Sequence, residues 1–235
     1  MSISVKKATI EVKDPVYFSG KEMNKRVSSG RYLHNYALTY SILNASGNFS
    51  KLTEYTKKWE KPSGEGPKYK EDLRRLNFYV FPAKPVDINF STEIVNTTSE
   101  EYHEEVTARR GKRFFTSHKL QRIDIGSKFE TFILSREEFD FPSRTRLGKF
   151  MSKVRLKTVD RDFERENTNT EKKLTSVLNA FDLSEEFEQN TKKIKIKRMR
   201  PTPLITSAVF NGDMIVTEEG GVLPLNVGYL KKKKD

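Results

Sequence analysis

Two hydrophobic periods alternate along the chain. Over residues 5–18, Ile10 and Val12, then Val16 and Phe18, sit between polar neighbours at every second position, which predicts an opening strand. Pro15 has no N–H for a ladder and puts the end of that strand at an edge or a bulge. In "YLHNYALTYSILNASGN" the period changes. Leu33, Tyr36, Ala37, Tyr40 and Asn44 recur three and four apart on one helical face, and Gly47 stops the helix. The polar residues 48–77 include "KPSGEGPKYKEDLRRL", an exposed loop before a short helix. "NFYVFPAKP" is then a strand ended by Pro82, and "VDINFSTEI" brings Val86, Ile88 and Phe90 to one face.

The second half is richer in strands. Glu100, Glu101, Glu104 and Glu105 precede "ARRGKR", and "FFTSHKLQRIDIGSKFETFIL" follows it. Antiparallel strands joined near Gly111 put Arg109, Arg110, Lys112 and Arg113 at a protruding tip, either a solvated hairpin or an RNA-touching finger. Residues 158–173 mix both signs of charge and suggest a surface loop. "TSVLNAFDLSEEFEQ" reads as a turn and a short helix. "TKKIKIKRM" reads as a strand with Ile194 and Ile196 inward and its lysines outward. In "AVFNGDMIV", Asn211-Gly212 predicts a tight hairpin turn. Residues 231–235 form a basic tail. The order predicts one α+β domain over 1–235, with a mainly antiparallel sheet and a ferredoxin-like core. Its strand-rich part, about 86–134, carries the inserted hairpin.

Charge narrows the partners. With 44 basic against 32 acidic residues, a formal +12, the chain has the electrostatic footprint of a nucleic-acid binder. No stretch reaches the roughly 18 apolar residues of a spanning helix, and the N-terminus alternates where a signal peptide would be apolar. The expectation is a cytoplasmic protein with no membrane contact. Zero cysteines exclude disulfides and thiolate chemistry, and three histidines make a metal site improbable. No phosphate-cradling glycine loop and no HExxH are present, so neither cofactor nor metal is expected.

The basic character concentrates in "SRTRLGKFMSKVRLK", residues 143–157, which holds Arg144, Arg146, Lys149, Lys153, Arg155 and Lys157 and no acidic residue. A helical 144–151 puts Arg146, Lys149 and Lys153 on one face and Leu147, Phe150, Met151 and Val154 on the other. From 153 onward the alternation is that of a strand. Either way the apolar residues anchor the segment and the charges share a surface that suits phosphates, with Gly148 letting backbone come close to one. An ordinary solvated face is the competing reading. A metal-independent ribonuclease would need paired acid and base groups. His34, His103 and His118 are not brought together by spacing, so the expectation is no enzyme.

Two of these stretches, "RYLHNYALTYSI" (31–42) and "FPSRTRLGKFMSKVRL" (141–156), resemble signature segments of the Cas five subunit of type I-D CRISPR systems, the Csc-one family. "VLNAFDL" (177–183), "MRPTPLI" (199–205) and the opening "IEVKDPVYF" resemble further family segments in the same order. The resemblance implies a RAMP-superfamily domain with an RRM-like ferredoxin core and a thumb-like β-hairpin. It implies a non-catalytic Cascade subunit that holds the 5′ handle of the crRNA, between the Cas seven backbone subunit and the large Cas ten d-type subunit. It leaves open a contact with target DNA near the protospacer-adjacent motif. On this implication Arg144, Arg146, Lys149 and Lys153 contact the handle, with Arg155 a weaker candidate. His34, Asn35 and Tyr36 lie near the handle or in the packing beneath it. The alternatives are an endoribonuclease that processes CRISPR repeat RNA and a scaffold for acidic protein partners.

Overall fold

The structure, a computed structural model, describes residues 3–18, 21–23, 26–47, 69, 73, 76–96, 117–167, 171–225 and 227. In chain order its elements are β1 (Ser4–Val12), β2 (Lys21–Met23), β3 (Arg26–Ser28), α1 (Asn35–Ala45), β4 (Phe78–Val80), β5 (Lys84–Asp87), β6 (Phe90–Asn96), β7 (Ser117–Ile123) and β8 (Lys128–Ser135). There follow β9 (Arg144–Leu147), β10 (Ser152–Arg161), β11 (Phe163–Asn167), β12 (Lys172–Lys173), β13 (Leu178–Asn179), β14 (Thr191–Lys197), β15 (Leu204–Phe210), β16 (Asp213–Thr217) and β17 (Val222–Pro224). A 3-10 turn (Ala180–Asp182) and a short helix (Glu185–Gln189) lie between β13 and β14. Among the described residues every strand pair is antiparallel except β3 with β7.

The central sheet runs β4-β8-β1-β10-β9, with β5 also paired to β8. Its two faces differ because side chains alternate along a strand. Ala8, Ile10 and Val12 of β1 join Phe129 and Ile133 of β8, Val154 and Leu156 of β10, and Leu147 of β9 on one face. Leu38 and Ile42 of α1 close over them. Each such fully buried aliphatic side chain contributes about 1.5–3 kcal/mol.

Among the described residues, the opposite face is covered over only part of its area. Val5, Leu134, Tyr79 and Phe81 lie in a second apolar cluster with Leu178, Ile205, Met214, Ile215 and Leu223. Those partners come from two C-terminal sheets, β11-β16-β17 and β12-β15-β13 with β14 on β15. Further along the same face, β1, β8, β9 and β10 carry charged and exposed residues.

Several elements depart from the sequence pattern. The helix forms, but its buried side is Asn35, Tyr36, Leu38, Thr39, Ser41, Ile42 and Leu43, while Asn44 is exposed. Polar Asn35, Thr39 and Ser41 are buried there because each is hydrogen-bonded. Val86 is exposed, and "VDINFSTEI" splits into β5 and β6, which belong to different sheets. Residues 158–173 are largely strand: the end of β10, then β11 against β16, then β12. A ladder satisfies backbone groups whatever the side chains, so charged edge strands are stable. Ile194 and Ile196 are exposed, because β14 is an edge strand whose register shifts between Lys192 and Ile196. Asn211-Gly212 does not close a hairpin. It carries the chain from β15 in one sheet to β16 in another.

Candidate nucleic-acid interface

The segment 144–157 is a strand–turn–strand, not a helix followed by a strand. β9 pairs β10 with Arg144 opposite Arg155 and Arg146 opposite Lys153. These four side chains are exposed, as is Lys157, and Thr145, Leu147, Val154 and Leu156 point inward. Residues directly opposite share a face, so the arrangement sets two like-charged pairs side by side. Such pairs cost stability unless an anion bridges them.

Several other cations on this sheet face are neutralised. Near the C-terminal sheets, Lys7 Nζ lies 3.2 Å from Glu219 and 3.5 Å from Glu130, Lys84 Nζ 2.9 Å from Glu130, and Arg161 2.9 Å from Glu219. Burial raises the Glu130 carboxyl, but Lys84 and Lys7 together hold it below the usual range. Toward β9 the acids present do not pair with the cations: Asp14 accepts instead from the Lys153 backbone N–H at 3.1 Å. Among the described residues no carboxylate lies within ion-pair distance of Arg144, Arg146, Lys149, Lys153, Arg155 or Lys157. Glu11, opposite both Arg155 and Lys128, is paired instead with Lys13 at 2.7 Å, which holds its carboxyl low. Lys128 extends the basic surface, and only the β-period of both strands could have pointed to it.

The turn between β9 and β10 is tightly held. Gly148 has φ 76°, and a Cβ there would come within 2.6 Å of the Tyr17 carbonyl oxygen. Gly148 thus brings backbone against backbone, where the sequence suggested an approach to phosphate. Lys149 N–H donates to that oxygen at 2.9 Å, and Arg146 Nη1 donates to the Met151 carbonyl at 3.0 Å. Gly148→Ala is expected to cost roughly 2 kcal/mol, from the left-handed backbone and the clash together. A denaturant titration checks it, and an unchanged midpoint would contradict the packing described.

His34, Asn35 and Tyr36 are all buried. Of their two expected positions, the packing is the one they occupy. His34 caps α1: its Nδ1 accepts from Tyr36 N–H at 3.2 Å. The proton therefore sits on Nε2, which donates to Thr202 Oγ1 at 2.8 Å. Thr202 donates to Asn179 Oδ1 at 2.6 Å, Asn179 Nδ2 to Asn35 Oδ1 at 3.1 Å, and Asn35 Nδ2 to Asp182 at 2.7 Å. The hydroxyls of Tyr36 and Tyr79 also donate to Asp182, both at 2.9 Å. Burial pushes the Asp182 carboxyl up, and its donors pull it partly back. Burial, with the nearby Asp182 charge, raises the Tyr36 hydroxyl as well. Hydropathy alone gave no sign of Asp182, Asn179, Thr202 and Tyr79 as partners, though three of them lie in segments singled out by resemblance.

Burial lowers the His34 imidazole to about 4 from an ordinary 6.5, against a smaller upward pull from the Thr202 backbone. A lowered histidine favours the neutral form in the folded chain. Its contribution is therefore complete above pH 6.5 and is lost as pH falls toward 4, by roughly 3 kcal/mol in all. Asp182, raised, has the opposite sign. His34→Asn keeps a capping oxygen and removes the titration. Thermal melts from pH 7 to 4 should show a flatter decline for the variant than for the parent chain. Parallel curves would rule this linkage out.

Arg109, Arg110, Lys112, Arg113 and His103 lie outside the described residues. The ladder of β6 and β7, from Phe90 opposite Ile123 to Asn96 opposite Ser117, flanks them. Among the described residues no cluster of three or more His, Cys, Asp or Glu could hold a metal, and no helix is long and apolar enough to cross a membrane.

Comparison with known proteins gives one strong match. A family model described as type I-D CRISPR-associated protein Cas5/Csc1 matches residues 3–232. No curated protein sequence matches. Among solved structures, a CRISPR protein from Archaeoglobus fulgidus is 14% identical, with 97% of this chain and 99% of that one covered at a TM-score of 0.44. A chain of the type III-B Cmr-beta complex bound to cognate target RNA and AMPPnP is 9% identical, with 91% and 86% covered at 0.40.

Proposed function

The chain belongs to the type I-D CRISPR-associated Cas5/Csc1 family, and on that premise we propose that it is a non-catalytic RNA-binding subunit of a Cascade effector complex. In this reading it holds the 5′ handle of the crRNA. It links the Cas seven backbone to the large Cas ten d-type subunit and lies near the protospacer-adjacent motif of target DNA. The compartment is the cytoplasm.

One observation carries the reading: six exposed basic side chains on the β9–β10 hairpin, none of them in an ion pair among the described residues. A polyanion relieves the repulsion between Arg144 and Arg155 and between Arg146 and Lys153, and releases counterions as it binds. An acidic protein could meet the same charges. RNA is the better fit because the cations are spread along two strands and a turn, as phosphates are along a backbone. A ferredoxin-like core is the matching fold, with α1 against the antiparallel sheet. The β6–β7 ladder then forms the base of a thumb within the strand-rich segment 86–134.

The absence of catalysis is part of the proposal. His34, as general base or acid, would need a free ring nitrogen facing substrate, and both of its nitrogens are engaged inside the core. Incubation of the purified chain with repeat RNA, without metal, is expected to leave it intact. Site-specific cleavage would replace this reading with a processing nuclease. In the assembled complex, Lys149→Glu with Lys153→Glu should reduce the crRNA that co-purifies. Undiminished crRNA in that double variant would remove the assignment.

A further inference from the structure

The turn of the β9–β10 hairpin exposes two apolar side chains where burial would be expected. Phe150 is 57% exposed and Met151 48%. A helical 144–151 would have buried both, yet both stand at the tip. Met151 also has φ 52°, a left-handed conformation that side chains other than glycine rarely adopt. Strain of this kind persists only where the surroundings over-determine it, and it gathers at functional sites.

The surroundings here are specific. Lys149 N–H, the Met151 carbonyl and the Met151 N–H are each bonded, the last to Gly148 at 3.2 Å. Ser152 Oγ donates to the Pro15 carbonyl at 2.6 Å just beyond the turn. The Phe150 ring lies on Tyr17, centroids 5.3 Å apart and planes at 21°, and Tyr17 itself is buried. One ring face is therefore backed by protein and the other meets solvent. Such a ring is pre-oriented, so little rotamer freedom is lost when something stacks on it. Lys149 precedes it in the turn, and Arg146 reaches the turn through the Met151 carbonyl.

We infer that Phe150, backed by Tyr17, is a stacking platform for one unpaired base of the RNA whose phosphates the adjacent cations hold. The inference rests on the RNA-binding reading above and adds a contact that charge does not supply. An aromatic face accepts any base, so the site binds single-stranded RNA with little preference for sequence.

The test uses the full chain and two probes of equal length: a single-stranded octa-adenylate RNA, and the same backbone with abasic positions. Phe150→Ala should weaken binding to the first by about 5- to 100-fold and leave the second unchanged. The salt dependence should keep its slope, because no phosphate contact is lost. Phe150→Trp should retain affinity, and a 2-aminopurine placed in the first probe should be quenched by the parent chain and by Phe150→Trp only. Equal losses on both probes, or no loss, would overturn the inference even if charge reversal still abolishes binding. Weakened assembly with protein partners at unchanged RNA affinity would overturn it in favour of a protein contact. If the parent chain binds neither probe, the RNA reading fails first and this inference with it. Phe150 is more than half exposed, so Phe150→Ala loses the Tyr17 stack but stays folded, and binding is compared below its melting temperature.

Discussion

Asp182→Ala is expected to cost the chain about 4 kcal/mol of stability. The carboxylate takes hydrogen bonds from Asn35, Tyr36 and Tyr79, on α1 and β4, while standing itself on the 3-10 turn after β13. Alanine removes the charged acceptor shared by three buried donors at once. Each lost bond costs about 1–3 kcal/mol, and with incomplete additivity the sum is about 4 kcal/mol. A domain holds only about 5–15 kcal/mol in total, so this is a large share of its stability. Asp182→Asn should lose less than half as much. It keeps one acceptor oxygen for Asn35, and the tyrosine hydroxyls can rotate to accept from its amide. Urea midpoints at pH 7 separate the two variants. An alanine variant within about 1 kcal/mol of the parent chain would mean that the network does not hold α1 to the C-terminal segment.

Arg144→Glu with Lys153→Glu is expected to weaken RNA binding by roughly a hundredfold while the fold becomes no less stable. Two charged contacts of at least about 1.5 kcal/mol each give that factor. The log–log salt slope on single-stranded RNA should fall by about 1.4, at about 0.7 per phosphate. The stability forecast comes from the ladder. Glutamate at 144 would face Arg155, itself beside Glu11, and glutamate at 153 would face Arg146. Each like-charged pair becomes an opposite-charged one, in favour of the fold by about 0.2–1 kcal/mol. A binding surface whose charges oppose stability gives this combination of weaker binding and an undiminished fold. A variant that binds as before, or that loses binding only because it melts earlier, would show the charges to be an ordinary solvated face.

Much of the local structure was legible in the chain. The alternation of Ile10, Val12, Val154 and Leu156 foretold strands with the faces they adopt, and Gly47 ends α1 as expected. Period two was also enough to segregate Lys153, Arg155 and Lys157 from the core. Harder was the piece 144–151, which fits both periods because its charged and apolar residues are closely interleaved. The left-handed Gly148 and its contact with Tyr17 resolve it as a turn, and that contact joins residues far apart in sequence. Ile194 and Ile196 show the same limit from the other side. Alternation predicts that one face of a strand is apolar, but whether anything covers that face depends on its neighbours in the sheet. The motifs 31–42, 177–183 and 199–205 were legible as family segments. That they meet in one buried polar network was not, because hydropathy scores Asn35, Asp182 and Thr202 as surface residues.

By itself, then, the sequence determined the charge excess, the absence of thiol chemistry, the strand and helix periods and the family. All of these are properties of residues or of short windows. Tertiary structure decided which half of the central sheet stays uncovered, which cations lose their acidic neighbours, and which aromatic ring keeps a free face. It also decided that His34, Asn35 and Tyr36 brace the core through one buried polar network. Each of these depends on residues brought together from distant parts of the chain, where burial and pairing are set by packing and no local pattern records the outcome.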